Sequence, residues 1–314
     1  MSLPVVVLIG ATATGKSRLA IALAHAMQDS GVGAEIVNAD SMLVYRGMDI
    51  GTAKPSMSER SGVPHHLVDI LDVTQTASVA DFQALARTTI ANIVSRGACP
   101  VVVGGSALYV RAIVDHFEFP GSDPTVRARW EAELERVGAV ALHARLAAEA
   151  PESAAKIEPA NGRRTVRAFE VMELTGGHAP HLPEWTYELN NVHQFGLDED
   201  RAVLDARIND RVDAMWCDGL VDEVRGLLAA GLREGVTAIR AIGYRQVVAF
   251  LDGECTEEEA KSETKRATRR FFRKQLGWYR RDPRITWLQA GGQDNVATIL
   301  ASIGWGATEM RGPS

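Results

Sequence analysis

The sequence predicts an α/β fold built on a parallel sheet, on three observations. Short apolar, β-rich runs at 4–9, 35–40, 100–105 and 192–198 alternate with stretches of helical periodicity, the pattern of βαβ units. The runs at 4–9 and 100–105 are unbroken by polar residues rather than apolar at every second residue, which suits strands covered on both faces. The first run passes through a glycine turn directly into a helix-forming segment, RLAIALAHAM.

Taken in order, PVVVLI (4–9) predicts the first strand, GATATGKS a loop, and RLAIALAHAM the first helix. EIVNAD predicts a second strand ending at Asp40, and HLVDIL (66–71) a third. An amphipathic helix over 79–96 precedes the strand PVVVGG (100–105). Near Pro120 the composition turns to Ala, Arg and Glu with helical periodicity and no strand pattern. GGHAPHLPEW (176–185) then reads as a loop, and VHQFGLD (192–198) as a return to the sheet. The chain therefore divides into a core, 1–119 and 191–314, and a helical insertion, 120–190. Helices over 201–216, 218–230, 238–252 and 256–281, a short strand RITWL (284–288) and a terminal helix complete the core.

At 314 residues, 46% apolar and 24% charged, the composition is that of a globular protein. The opening apolar run is too short for a membrane span and lacks the flanks of a secretory signal, so the expected setting is cytoplasmic, without a membrane partner. Cys99, Cys217 and Cys255 lie far apart with no metal-ligand spacing, which predicts reduced, mostly buried thiols. The net charge of -6 argues against a nucleic-acid partner only if charge is evenly spread. It is not: between 261 and 284 ten basic residues meet only Glu263 and Asp282, a local charge of about +8.

Gly10-Ala11-Thr12-Ala13-Thr14-Gly15-Lys16-Ser17 matches GxxxxGK[ST] between a strand and a helix, the context the P-loop motif requires. Glycines let successive backbone N–H groups turn toward phosphate oxygens at a helix N-terminus. Lys16 brings a mobile positive charge, and the Ser17 hydroxyl is placed to hold Mg²⁺. The fold class is thus a P-loop NTPase-like parallel sheet with an inserted helical domain and a helical C-terminal part. The motif selects a diphosphate, not a particular molecule. The later strand that would carry a metal-binding carboxylate in an NTPase ends instead in Gly104-Gly105-Ser106, which weakens an ATPase reading.

Asp40 closes the second strand at the carboxyl edge of the sheet, where open α/β folds bind ligands. There it can serve as a general base or merely cap a following helix. The long polar stretch from Asp40 to Pro55 exceeds what a βα connection needs and points to a site.

GATATGKS, NADS…YRGMDIGTAKP, PHHLVDI, VVVGGSALY, Ala238–Gln246 and TRRFFRKQLGWYRR together resemble the tRNA dimethylallyltransferases, in order over nearly the whole chain. The resemblance implies that dimethylallyl diphosphate is the donor and that the acceptor is the N6 amine of adenosine 37 in the anticodon loop of tRNA. It implies that the insertion grips the anticodon stem-loop and that the enzyme is a monomer. By position, Asp40 matches the base, while Thr12, Lys16 and Ser17 match diphosphate and Mg²⁺ ligands. Arg240 matches an arginine near the diphosphate. Asp40, Ser41, Met42 and Leu43 match a tRNA-contacting loop, as do Ser106, Arg127 and the run Arg163, Arg164, Arg167. Three departures are Ala11 for Pro, Leu43 for Gln, and Asn161 where an Asp often precedes the arginine run.

Arg266, Arg269, Arg270 and Arg273 recur at helical spacing, forming a stripe suited to phosphate contacts. Phe271, Phe272, Trp278 and Tyr279 read as core at that spacing rather than as base-stacking groups. His65 and His66 lack a third ligand, and Asp205, Asp210, Asp213, Asp218 and Asp222 read as exposed helical acids. Two other functions fit part of the pattern. A small-molecule kinase would use Asp40 as base and consume ATP; a non-catalytic RNA-binding protein would account for the arginines alone.

Overall fold

The computed structural model describes residues 3–176 and 184–305, so most of the loop read at 176–185 lies outside the described residues. Two compact units emerge: Met1–Asp115 with Tyr187–Ser314, and His116–Thr186.

The first unit contains a six-stranded parallel sheet in the order β3-β2-β4-β1-β5-β6. β1 (Val5–Gly10) leads to α1 (Lys16–Asp29), β2 (Ala34–Asn38), β3 (His65–His66), α2 (Val79–Ser95), β4 (Cys99–Gly104) and α3 (Ala107–Val114). After the second unit follow β5 (Val192–Asp198), α8 (Arg201–Cys217), α9 (Leu220–Ala229), α10 (Tyr244–Leu251), α11 (Glu257–Tyr279), β6 (Ile285–Gln289) and α12 (Asn295–Ser302). β1 and β4 are buried at every position, as their unbroken apolar runs require. Two apolar clusters use alternate residues of the strands: Val5, Val7 and Ile9 point into one, Val6 and Leu8 into the other.

The third strand is shorter than its apolar run suggests. Only His65 and His66 pair with β2, because Leu67 and Asp69 take left-handed backbone angles (φ 62° and 56°) that break the ladder. The helix expected over 238–252 is likewise divided: a 3₁₀ turn at Ala238–Arg240 stops short of Gly243, and α10 begins after it. Among the cysteines only Cys99 is buried; Cys217 is exposed and Cys255 half-buried. No helix among the described residues is long and apolar enough to cross a membrane.

The chain leaves the first unit after Asp115 and rejoins it at Tyr187, and these two residues form an antiparallel bridge. Asp115 is fully buried between Arg111 and Arg284, each 2.8 Å away, and Arg284 also lies over the Tyr187 ring.

The second unit is a helical cluster of α4 (Pro124–Val137), α5 (Ala139–Glu149), α6 (Pro151–Ala154) and α7 (Gly162–Leu174). Its core is Leu142, Leu146, Ala154, Val166 and Phe169, with Trp130 stacked on Phe169. Asn161 caps α7, accepting from the Arg164 N–H at 3.2 Å. Of the arginines that follow, Arg167 finds its carboxylate in Glu170, nine residues after Asn161.

The end of β4 shows how tightly the sheet edge is drawn. A Cβ on Gly104 would lie 2.4 Å from the Ala39 carbonyl oxygen, which is backbone and cannot turn away. Gly104→Ala should therefore lower stability by about 1–3 kcal/mol, read as a shifted urea midpoint at unchanged slope. An unshifted midpoint would mean that the edge relaxes without cost.

Candidate active site

A cavity of about 860 Å³ opens at the carboxyl edge of the sheet, within the first unit. Its lining joins the phosphate loop and first turn of α1, Asp40 and Leu43, the Asp49–Pro55 stretch, Gly104 and Gly105, and one side of α8. Of the sequence-assigned residues, Thr12, Ala13, Gly15, Lys16, Ser17, Asp40 and Leu43 face it.

The phosphate loop is braced from within. The Thr14 hydroxyl donates to the Ala11 carbonyl at 2.9 Å, and the Lys16 ammonium donates to the same oxygen. Loss of water around Lys16 pushes its ammonium down to about 8; Asp40 pulls the other way, and Arg211 adds to the depression. Ser17 is exposed in the first turn of α1.

Asp40 is held by an asparagine bracket. Asn38 accepts from the Asp40 N–H at 2.8 Å and donates to the Asp40 and Leu67 carbonyls at 3.0 Å. One carboxylate oxygen of Asp40 accepts from the Met42 N–H at 2.9 Å. No helix follows, so Asp40 is not a helix cap; it closes a tight local turn. Its second oxygen has no hydrogen-bond partner among the described residues. The burial of Tyr109, then the charges of Tyr45 and Asp40, raise the Tyr109 phenol to about 12, so it remains protonated beside this carboxylate.

Arg211 is a cavity residue that sequence reasoning missed. It lines the cavity from α8, has no ion-pair or hydrogen-bond partner among the described residues, and feels both Asp40 and Glu59. Burial lowers its pKa, against the pull of those two carboxylates. A signal existed: Arg211 falls on the apolar stripe Leu204–Ile208–Met215, where a cation has no packing purpose. Arg240 stands elsewhere, exposed at the end of its 3₁₀ turn and outside the cavity lining. Ser106 is half-buried ahead of α3, whose Ala107 N–H donates to Gln275 of α11 at 2.8 Å. Gly10, Ala11, Thr14, Ser41 and Met42 support the lining without belonging to it.

The basic stripe of α11 is largely paired. Arg273 meets Asp205 at 2.7 Å, Arg269 meets Asn209, and Lys261 and Lys265 share Asp213 at 2.7 Å. Arg266 and Arg270 share Glu263. Asp205 and Asp213 are thus rungs between two antiparallel helices rather than free surface acids, and Asp218 lines the cavity. Phe272 and Tyr279 are buried as expected of core residues. Phe271 is not: the buried face of α11 moves from Ala260, Thr264 and Ala267 to Phe272 and Tyr279, leaving Phe271 47% exposed.

In the second unit, Arg127 and Arg167 both bind Glu170, at 2.7 and 2.8 Å. Burial alone would raise the Glu170 carboxyl, but the hydrogen bonds from Arg167 and Arg127 outweigh it and hold it below the ordinary range. Arg163 and Arg164 are exposed, without side-chain partners among the described residues.

The family model for IPP transferase matches residues 43–282. A tRNA dimethylallyltransferase of Salinispora arenicola is 57% identical over 300 residues, covering 95% of this chain and 86% of that protein. One from Kineococcus radiotolerans is 58% identical over 291 residues, covering 92% of each. The crystal structure of a tRNA isopentenylpyrophosphate transferase from Bacillus halodurans superposes with a TM-score of 0.69 at 39% identity, over 98% of this chain and 96% of that one. A eukaryotic dimethylallyltransferase, seen in crystallographic snapshots acting on tRNA, superposes with a TM-score of 0.79 at 26% identity, over 96% of this chain and 78% of that one. The chain belongs to the IPP transferase family.

The depressed Lys16 predicts a pH signature for anion binding. Below pH 8 the ammonium is charged and available to an anion; above it the charge is lost, and that attraction with it. Calorimetric affinity for inorganic diphosphate, divided by that of Lys16→Arg, should stay flat below pH 8 and fall about tenfold per unit above it. A ratio constant to pH 10 would exclude Lys16 as the titrating contact.

Proposed function

We propose that this chain transfers the dimethylallyl group of dimethylallyl diphosphate to the N6 amine of adenosine 37 in the anticodon loop of tRNA and releases diphosphate. The observation that carries the reading is one cavity shared by Lys16, Arg211 and the unpartnered carboxylate oxygen of Asp40. Its cations suit a diphosphate leaving group, and the carboxylate oxygen that Asp40 keeps free, just beyond the end of β2, suits a proton acceptor. The names of the relatives supply the class of donor and acceptor.

The adenine amine is a weak nucleophile, since its lone pair is delocalised into the ring. As the N6–C1 bond forms, the C1–O bond breaks and its electron pair leaves with the diphosphate. Lys16 and Arg211 stabilise the charge that develops there. Asp40 accepts the N6 proton on the oxygen that the Met42 turn leaves free. The target base must leave its stack to reach this cavity, as bases do in other enzymes that modify them.

The residues present fit Mg²⁺. Ser17 offers a hard hydroxyl oxygen to the cavity, and no group of three or more His, Cys, Asp or Glu converges anywhere among the described residues, so further ligands would come from substrate phosphates and water. An ion held by one or two protein oxygens together with substrate phosphates is the usual Mg²⁺ arrangement. When bound it would neutralise the departing diphosphate.

For the RNA, phosphate contacts fall to cations free to move. Of the insertion arginines assigned to the RNA these are Arg163 and Arg164, since Arg127 and Arg167 are engaged by Glu170.

The deciding experiment offers radiolabelled dimethylallyl diphosphate and an unmodified tRNA with adenosines at 36–38, beside a parallel reaction with ATP labelled at its terminal phosphate. Label should enter the tRNA, and Asp40→Ala should cut turnover about 10²–10⁴-fold with tRNA binding retained. Phosphate moving from ATP to a hydroxyl compound, with no allyl transfer, would make the chain a kinase.

Replacing both Arg163 and Arg164 by Ala should reduce the salt dependence of log affinity for tRNA by about two charge contacts and leave the melting temperature unchanged. Arg167→Ala should chiefly lower the melting temperature, since it strips a buried carboxylate of a partner. The reverse allocation would place the RNA on the Glu170 pair.

A further inference from the structure

The GMDIG stretch is clamped by a carboxylate that its own sequence does not announce. Glu223, in the first turn of α9, accepts from the backbone N–H groups of Asp49 at 3.1 Å, Ile50 at 2.7 Å and Gly51 at 3.3 Å. It also accepts from the Tyr244 hydroxyl at 2.5 Å. Three successive peptide N–H groups turned to one anion form the kind of concavity that proteins elsewhere offer to phosphates. Here a side chain fills it.

Tyr244 is fully buried with its ring directly beneath Gly51, where a Cβ would come within 2.4 Å of a ring carbon. Only glycine lets the chain settle so closely on the ring. The clamped residues are also cavity wall: Asp49 and Ile50 line it, as do Thr52 and Lys54 directly after. Lys54 is not a spare cation for a ligand. Its side chain is 4% exposed and held by the Tyr45 carbonyl at 2.7 Å, Asp49 at 2.6 Å and Asp69 at 2.5 Å.

This stretch has no helix or strand of its own. Where its wall stands is therefore set by what grips its backbone, and Glu223 grips it at three consecutive residues. We propose that Glu223, backed by Tyr244, is a positioning residue for the donor, fixing the Asp49–Thr52 wall and thereby the affinity for dimethylallyl diphosphate rather than for tRNA. The inference rests on the transferase reading given above. Glu223 touches no substrate atom in this scheme; it acts through the peptide groups it holds.

Steady-state kinetics with both substrates varied tests it. Glu223→Gln keeps the length but turns an NH₂ group toward peptide N–H groups; Glu223→Asp keeps the charge. Tyr244→Phe keeps the ring under Gly51 and removes the hydroxyl. Glu223→Gln should raise KM for dimethylallyl diphosphate about tenfold, with kcat and KM for tRNA within about twofold of wild type. Glu223→Asp should recover part of that loss, and Tyr244→Phe should show the same split at about threefold. Should Glu223→Gln fail to fold, the Tyr244→Phe split decides. Equal rises in both KM values, or an unchanged donor KM with a lowered melting temperature, would make the clamp a fold element only and overturn the inference. Wild-type protein that moves no label to tRNA would overturn the functional reading first, and this inference with it.

Discussion

The stretch from Asp40 to Pro55 must hold one shape without the help of a helix or a sheet, and much of the first unit is arranged around that demand. Its peptide groups still need partners, because buried backbone left unpaired costs free energy comparable to a lost hydrogen bond. Asn38 brackets Asp40, the Val44 carbonyl takes the N–H groups of Ile70 and Leu71, and Glu223 takes those of Asp49, Ile50 and Gly51. The Tyr45 hydroxyl bonds Thr237 and the Gln75 carbonyl. Segments up to 192 residues away in sequence thus converge on sixteen residues. This explains why the third strand is so short. The chain beyond His66 turns at Leu67 and Asp69 to serve the stretch, and could not do so while continuing along β2.

The charges around the cavity show a different economy. Lys16 and Arg211 both have lowered pKa values, chiefly from loss of water; Asp40 tempers both, and Glu59 also tempers Arg211. Two desolvated cations with no ion-pair partner among the described residues are poorly placed in an empty site and well placed beside a polyanion. The α11 stripe shows the opposite arrangement, with nearly every cation already matched by an acid or amide of α8 or by Glu263. Charge density alone did not separate the two. What separates them is whether the partner is on the protein or is still to come.

That distinction marks the limit of what the sequence made legible. The strands at 4–9 and 100–105 were readable because an unbroken apolar run is a local property of a doubly covered strand. The phosphate loop was readable because its spacing is itself the mechanism. The ladder between α8 and α11 was half readable. Asp205, Asn209 and Asp213 recur every four residues, as do Lys261, Lys265, Arg269 and Arg273, but only packing pairs one series with the other. Arg211 and Glu223 escaped for a related reason. Each works on a segment remote in sequence, and a lone charge in a helix looks the same whether it faces water or a loop. Both nevertheless carried a local warning, for each stands between apolar residues three before and four after it: Ile208 and Met215 for Arg211, Leu220 and Leu227 for Glu223.

The end of β4 ties the P-loop ancestry of the site to the proposed chemistry. A nucleotide hydrolase of this architecture would place a metal-binding carboxylate on such a strand. Here the strand ends in Gly104 and Gly105, which face the cavity with no side chain, and Gly104 presses against Ala39, the residue before Asp40. The exchange removes an acid from one strand and leaves the acid on the next beside open space. A carboxylate at the end of β4 would fill part of that space and crowd a second negative charge toward Asp40, raising its proton affinity before any acceptor arrived. Glycines avoid both effects. In the proposed chemistry they would let an entering base approach the free oxygen of Asp40 while Lys16 and Arg211 hold the anion, with phosphate as the group that leaves.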